Sequence, residues 1–237
     1  MNVAIIQFPG TNCDIDTYRV FNELLDVEPT LIWHEKTTDL ERFDAIVLPG
    51  GFSYGDRLRA GIIAAYSPVI KQLKKLSQKG KPIIGICNGF QILVESGLLP
   101  GALLTNSNLK FICKWVNLKV ETNNLFTNSF QSNSIIRMPI AHNEGRYYVS
   151  EEKLQDLERN NQIVLRYSDS EGNTSMDNNP NGSISNIAAV SNSDGNVLGM
   201  MPHPERASDS LLSPYSSDDG IGIFRSMILS LEVMLKE

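Results

Sequence analysis

The chain predicts an α/β protein: a single-domain, open, mostly parallel sheet with helices on both faces. Short apolar runs of strand length alternate with longer helical patterns through the first half. Its glycine-punctuated loops leave such runs at their carboxyl ends, where open α/β sheets place their sites. With 237 residues and 41% hydrophobic content the chain can bury one substantial core, and a length somewhat above the common ~100–150 residues still fits one domain. One domain over 1–237 is the simplest division.

Val3 to Phe8 reads as a first strand, and a helix is expected from about Asp14 to Leu25. Strands follow at Thr30 to Trp33 and Ala45 to Leu48, helices lie between Arg57 and Gln78, and Pro82 to Ile86 is a fourth strand that yields to a helix at Asn88. The lysines from Lys71 to Lys81 read as the solvated face of a helix. The second half is richer in strands: Phe111 to Val120, Ile135 to Ile140, Ile163 to Tyr167, Ile187 to Val190 and Val197 to Met200. The Ser-Asp-Asn-Gly-rich tract from Ser168 to Ser185 reads as an exposed loop, and a closing helix covers Ile221 to Leu235.

A net charge of −6 argues against a nucleic-acid or anionic-membrane surface. Three widely spaced cysteines suggest a reducing compartment. No apolar stretch is long enough to span a bilayer, and the amino terminus lacks the order of a signal peptide. Cytoplasm is the expected location. The Asn173-Thr174-Ser175 and Asn181-Gly182-Ser183 sequons are then chance matches.

The chemistry concentrates in three segments. Gly85-Ile86-Cys87-Asn88-Gly89 puts a cysteine where a strand gives way to a helix. A side chain on such a turn stands above the sheet edge, and the helix beginning at Asn88 aims its free N–H groups and dipole at the sulfur, which favours thiolate. A buried cysteine on an ordinary turn is the competing reading. Pro202-His203-Pro204-Glu205 follows the strand Val197 to Met200. Its prolines stiffen the segment, and residues two apart in extended chain face the same way, so Glu205 can orient the His203 imidazole. A nucleophile, a base and an orienter from separate loops form the arrangement Cys87, His203, Glu205. Gly50-Gly51-Phe52 opens a loop whose backbone can approach an oxyanion closely; the N–H of Gly51 or Phe52, with that of Asn88, would form the hole. No phosphate-loop or dinucleotide fingerprint is present, so no nucleotide site is expected in this chain.

Together, Gly50-Gly51-Phe52-Ser53-Tyr54-Gly55-Asp56, Gly85-Ile86-Cys87-Asn88-Gly89-Phe90-Gln91 and Pro202-His203-Pro204-Glu205-Arg206 resemble the signatures of class I, triad-type glutamine amidotransferases. Within that class, Pro9-Gly10-Thr11-Asn12-Cys13-Asp14, Leu109-Lys110-Phe111-Ile112-Cys113, Ala141-His142-Asn143-Glu144-Gly145 and Asn179-Pro180-Asn181-Gly182-Ser183 are similar to the glutaminase subunits of phosphoribosylformylglycinamidine synthase. The resemblance runs from the first strand to the last helix. It implies hydrolysis of glutamine through a Cys87 thioester, with Gly50, Gly51, Phe52, Asn88 and Gln91 as the oxyanion-hole and substrate-binding set. It also implies transfer of the ammonia to a large synthetase subunit, with a small third subunit bridging the two. The synthetase would hold ATP and Mg, and no cofactor is expected in this subunit.

Other polar residues rank lower. Cys13 and Cys113 are expected to be small core or loop residues, and a metal site from Cys113, His142 and His34 has no supporting ligand spacing. His142 and Glu144 form a second histidine–carboxylate pair, expected at the pocket rim or a subunit interface. The Asn179 to Ser183 run is expected to meet glutamine or a partner, or to be only a surface loop. An enzyme of the same fold and nucleophile that serves another acceptor, or acts as a stand-alone hydrolase or cysteine peptidase of related architecture, and a catalytically silent binding module are the competing functional readings.

Overall fold

The computed structural model describes residues 1–36 and 38–234. Its main sheet has nine strands: β1 (Asn2–Gln7), β2 (Glu28–Trp33), β3 (Ala45–Leu48), β4 (Ile83–Ile86), β6 (Ile112–Val120), β7 (Ile135–His142), β9 (Ile163–Ser168), β10 (Ile187–Ser191) and β11 (Val197–Met200). The order is β2-β1-β3-β4-β11-β10-β9-β6-β7. The first five are mutually parallel and the last four extend the sheet antiparallel. Strands β3, β4 and β11 are buried along their whole length. This is the continuous apolar pattern expected of parallel strands covered on both faces, and burial of each large aliphatic side chain contributes about 1.5–3 kcal/mol.

Helix α1 (Asp14–Arg19) continues into a π-helical turn at Val20–Leu24, so the expected first helix is present with a wider final turn. Between Arg57 and Gln78 only α2 (Pro68–Gln78) is an α-helix, preceded by a single 3-10 turn at Ala64–Tyr66. Pro68 starts α2 because its fixed φ suits the first helical turn. Lys71, Lys74 and Lys75 of α2 are exposed as expected. Helix α3 spans Asn88–Glu95 and α5 spans Ile221–Met234; the expected end of that last helix, Leu235, lies outside the described residues.

Three elements were not legible beforehand. Helix α4 (Glu151–Arg159) is capped by Ser150, whose hydroxyl accepts from the Lys153 N–H at 3.3 Å; Ser before a Glu-Glu pair was its available signal. Strands β5 (Ala102–Leu104) and β8 (Arg146–Tyr148) form a separate two-stranded sheet, each too short for a periodicity. Among the described residues no helix is long and apolar enough to cross a membrane.

Strands β1, β3, β4 and β11 are consecutive neighbours and parallel, so the loops leaving their carboxyl ends converge on one edge. Four successive antiparallel pairings return β7 to the same direction as β11. The sheet curls enough for this last strand to reach the site: the His203 N–H donates to the Pro139 carbonyl at 2.9 Å.

Candidate active site

Cys87 stands at the turn between β4 and α3 with φ 48° and ψ −103°, a conformation costly for a residue with a side chain. The strain is held by packing. The Cys87 N–H donates to the Met200 carbonyl at 2.7 Å, and the helix presses so close to β3 that a Cβ on Gly89 would lie 1.9 Å from the Leu48 carbonyl oxygen. Cys87 is buried, with its sulfur 3.6 Å from the Ala141 carbonyl at the end of β7.

His203 is held extended between its two prolines, and its Nδ1 lies 2.6 Å from Glu205 Oε1. The expected pairing forms, for a different local reason. Glu205 belongs to the 3-10 turn Pro204–Ala207, which folds the carboxylate back onto the ring where extended chain was expected. Both side chains are almost wholly buried. Burial alone would pull the His203 pKa down; the Glu205 carboxylate and the Cys87 sulfur outweigh it and hold it well above its ordinary value. With Nδ1 committed to Glu205, Nε2 is the free nitrogen, and it has no partner among the described residues.

The glycine loop after β3 is clamped by the Pro9–Cys13 loop after β1. Asn12 and Cys13 N–H groups donate to the Gly50 carbonyl at 3.3 and 3.2 Å, and the Tyr54 N–H donates to the Pro9 carbonyl at 2.7 Å. The Phe52 N–H donates to Gly10 O at 2.9 Å. That donor is committed to the clamp, which leaves Gly51 as the available N–H of the two candidates. Gly50 has no room for a side chain, since a Cβ there would lie 2.7 Å from His203 Cε1. Across the site, Asn88 accepts from the Ser53 N–H at 3.1 Å and donates to Gln91 Oε1 at 2.8 Å, while Gln91 Nε2 donates to the Glu144 carbonyl at 2.7 Å. Gln91 thus ties α3 to the loop after β7.

Cys13 was expected to be an inert core or loop residue. It is buried, but its sulfur lies 3.9 Å from His203 Nδ1 and accepts from Arg206 Nη2 at 3.1 Å. Sequence distance hid this contact, which spans 190 residues. Cys13, His203 and Glu205 bring ligand-type atoms within 4.8 Å of one another. The adjacent Arg206 guanidinium and the commitment of Nδ1 to Glu205 both oppose a metal cation there. Of the three residues of the rejected cluster, Cys113 is exposed, while His34 and His142 are buried with Nδ1 held by Ser67 at 2.9 Å and by Asn106 at 3.0 Å.

Two expectations are corrected. His142 does not lie on the rim: it is 2% exposed, because it occupies the inward-facing register of β7 with Ile136, Met138 and Ile140. The Ser168 to Ser185 tract is not uniformly an exposed loop. Asn181 and Ser183 are buried because the Asn181 side chain donates to the Gly145 carbonyl at 2.8 Å and the Ser183 hydroxyl accepts from the Tyr147 N–H at 3.0 Å. Polar composition signalled solvent; the polar groups in fact serve backbone partners. Asp56, at φ 52° beside Glu144, has a pKa raised to about 6, by burial and then by that neighbouring carboxylate.

Residues 1–228 match the model of the CobB/CobQ-like glutamine amidotransferase domain. The chain is 52% identical over 230 residues to phosphoribosylformylglycinamidine synthase subunit PurQ of Aquifex aeolicus, covering 96% of this chain and 99% of that one. It is also 52% identical over 229 residues to PurQ of Methanosarcina barkeri, covering 96% and 97%. Among solved structures it is similar to a chain in the structure of PurLQS from Thermotoga maritima, with TM-score 0.84, 42% identity and coverage of 97% and 98%. A glutamine amidotransferase structure from Thermotoga maritima at 17% identity and TM-score 0.61 shares the fold. A family model spanning nearly the whole chain, and relatives alike from end to end, settle the family: the chain belongs to the CobB/CobQ-like glutamine amidotransferases.

Proposed function

We propose that this chain is the glutaminase subunit of phosphoribosylformylglycinamidine synthase, which hydrolyses glutamine to glutamate and supplies the ammonia to a synthetase subunit. The observation that carries this reading is the strained Cys87 turn beside the His203–Glu205 pair, in a chain 52% identical to PurQ over almost its whole length.

Cys87 gives its proton to His203 Nε2 and attacks the carboxamide carbon of glutamine. The resulting oxyanion receives the N–H groups of Gly51 and Asn88, each donor of this kind being worth about 3 kcal/mol in the transition state. The C–N bond breaks as the His203 imidazolium protonates the leaving nitrogen, releasing ammonia. Water, deprotonated by His203, then cleaves the thioester to glutamate and frees the thiol. Glu205 stabilises the imidazolium in both halves, and general acid–base transfer of this sort contributes about 10²–10⁴-fold.

The ammonia passes to the ATP- and Mg-dependent synthetase, which converts formylglycinamide ribonucleotide to the amidine in purine synthesis; a small third subunit bridges the two. Exposed Phe52, Leu58, Leu109 and Phe111 suit a partner docked over the site, the rings of Phe52 and Phe111 lying 6.4 Å apart. A cytoplasmic location fits this pathway and the free thiols. The test is glutamate release from glutamine by wild type and Cys87→Ala, with and without the synthetase, bridging subunit, ATP and formylglycinamide ribonucleotide. Cys87-dependent release that rises with the partners supports the reading. Release indifferent to them, or to Cys87, refutes it.

A further inference from the structure

His142 carries a buried nitrogen that nothing above uses. Its Nδ1 lies 3.0 Å from Asn106 Oδ1. The orientation of the Asn106 amide is fixed, because its NH2 group donates to the carbonyls of Lys110 at 2.8 Å and His142 at 2.9 Å. Oδ1 also accepts the Gly145 N–H at 3.2 Å, so it can only be an acceptor toward the ring. His142 Nδ1 therefore carries the hydrogen, and Nε2 is a bare lone pair.

That lone pair has no partner among the described residues, although the atom is buried and the residue is only 2% exposed. Leaving a buried acceptor unpaired is destabilising, and such an atom in a native protein calls for an explanation, a catalytic or binding role being one. The ring cannot turn away, because Gly145 lies flush against it: a Cβ there would sit 2.3 Å from Nδ1 and Cε1. The neighbourhood is that of the nucleophile. The residue before it, Ala141, meets the Cys87 sulfur with its carbonyl, and the loop after it is bound by Gln91. Burial, and then the charge of nearby His203, hold the His142 pKa at about 4, so the lone pair stays unprotonated at neutral pH.

We infer that His142 Nε2 is a fixed acceptor for the carboxamide N–H of bound glutamine and thereby distinguishes the substrate amide from the product carboxylate. This rests on the glutaminase reading and deepens it. Glutamine presents an NH2 donor where glutamate presents only oxygen lone pairs. An acceptor that can neither rotate nor protonate favours the first and repels the second, which retains substrate and expels product.

His142→Asn keeps an N–H near the Nδ1 position for Asn106 and removes the Nε2 lone pair. His142→Gln places an amide near Nε2 that can turn its NH2 outward as readily as its oxygen. In the reconstituted complex, the quantity to measure is the inhibition constant of glutamate divided by the KM for glutamine. The expected result is a ratio about tenfold lower than wild type in both variants, the worth of one buried neutral hydrogen bond. A structural role alone would lower kcat or yield without moving this ratio. If His142→Asn does not fold, His142→Gln carries the test. An unchanged ratio with active wild type overturns this inference alone, whereas wild type that releases no glutamate overturns the glutaminase reading and this inference together.

Discussion

Gly50→Ala isolates how tightly the site is set. The added Cβ would lie 2.7 Å from His203 Cε1, 3.3 Å from Nδ1 and 3.1 Å from the Cys13 sulfur. Ordinary contact begins near 3.4 Å, so the ring or the glycine loop has to give by about 0.7 Å, a cost of roughly 1–3 kcal/mol in a packed interior. The ring is the group that matters, since it is held by Glu205 and has to take the Cys87 proton in the proposed reaction. Displacement of a reacting group by about 1 Å costs about 10²-fold in rate, so the expected loss in kcat for glutamate release is about 10- to 100-fold, or about 1.4–2.7 kcal/mol of barrier. Movement of the loop in place of the ring would carry Gly51 off the oxyanion and lower kcat as well. The assay is steady-state glutamate release by the reconstituted complex, with a denaturation curve on the same protein to confirm folding. A folded variant whose kcat stays within about twofold of wild type would refute the reasoning.

Two further outcomes follow from strain and charge. Cys87→Gly should unfold at higher denaturant than Cys87→Ala, by about 1 kcal/mol, because glycine relieves the φ of 48° while alanine keeps it; equal midpoints would mean that the turn stores no strain. For Glu205→Gln the sign runs through His203, whose folded pKa is raised well above 6.5. The native state binds that proton more tightly than the unfolded chain, so its stabilisation is full below about pH 6.5 and is lost as pH rises through the folded value. Removing the carboxylate charge should lower stability by about 2 kcal/mol at pH 6 and flatten the decline above pH 6.5. Unfolding curves at pH 6 and pH 8 that shift in parallel would contradict it.

Local signals in the sequence sufficed wherever the chemistry was local. The four apolar runs at β1, β3, β4 and β11 each close on a glycine, cysteine or histidine loop, and adjacency of parallel strands carries those loops to one edge. Glycine at 85 and 89 around Cys87, and proline on both sides of His203, marked the candidate nucleophile and base because they shape the backbone within a few residues. What they could not specify is which donors remain free. The Phe52 N–H is committed to Gly10, and the Gln91 amide donates to the Glu144 carbonyl, by contacts across long stretches of chain.

The sequence by itself determined the parallel core, the positions of Cys87, His203 and Glu205, and the family. Periodicity, turn residues and motif spacing are properties of neighbouring residues, so they survive without coordinates. Only the tertiary structure decided that Cys13 touches His203, that His142 is a buried acceptor with a fixed tautomer, and that Asn181 and Ser183 support the loop around it. These depend on the curl of the sheet, which brings β7 over the end of β11, and on hydrogen bonds between segments far apart in the chain. A polar residue announces that it needs a partner; the fold alone settles which partner it gets and which atoms it leaves for the substrate.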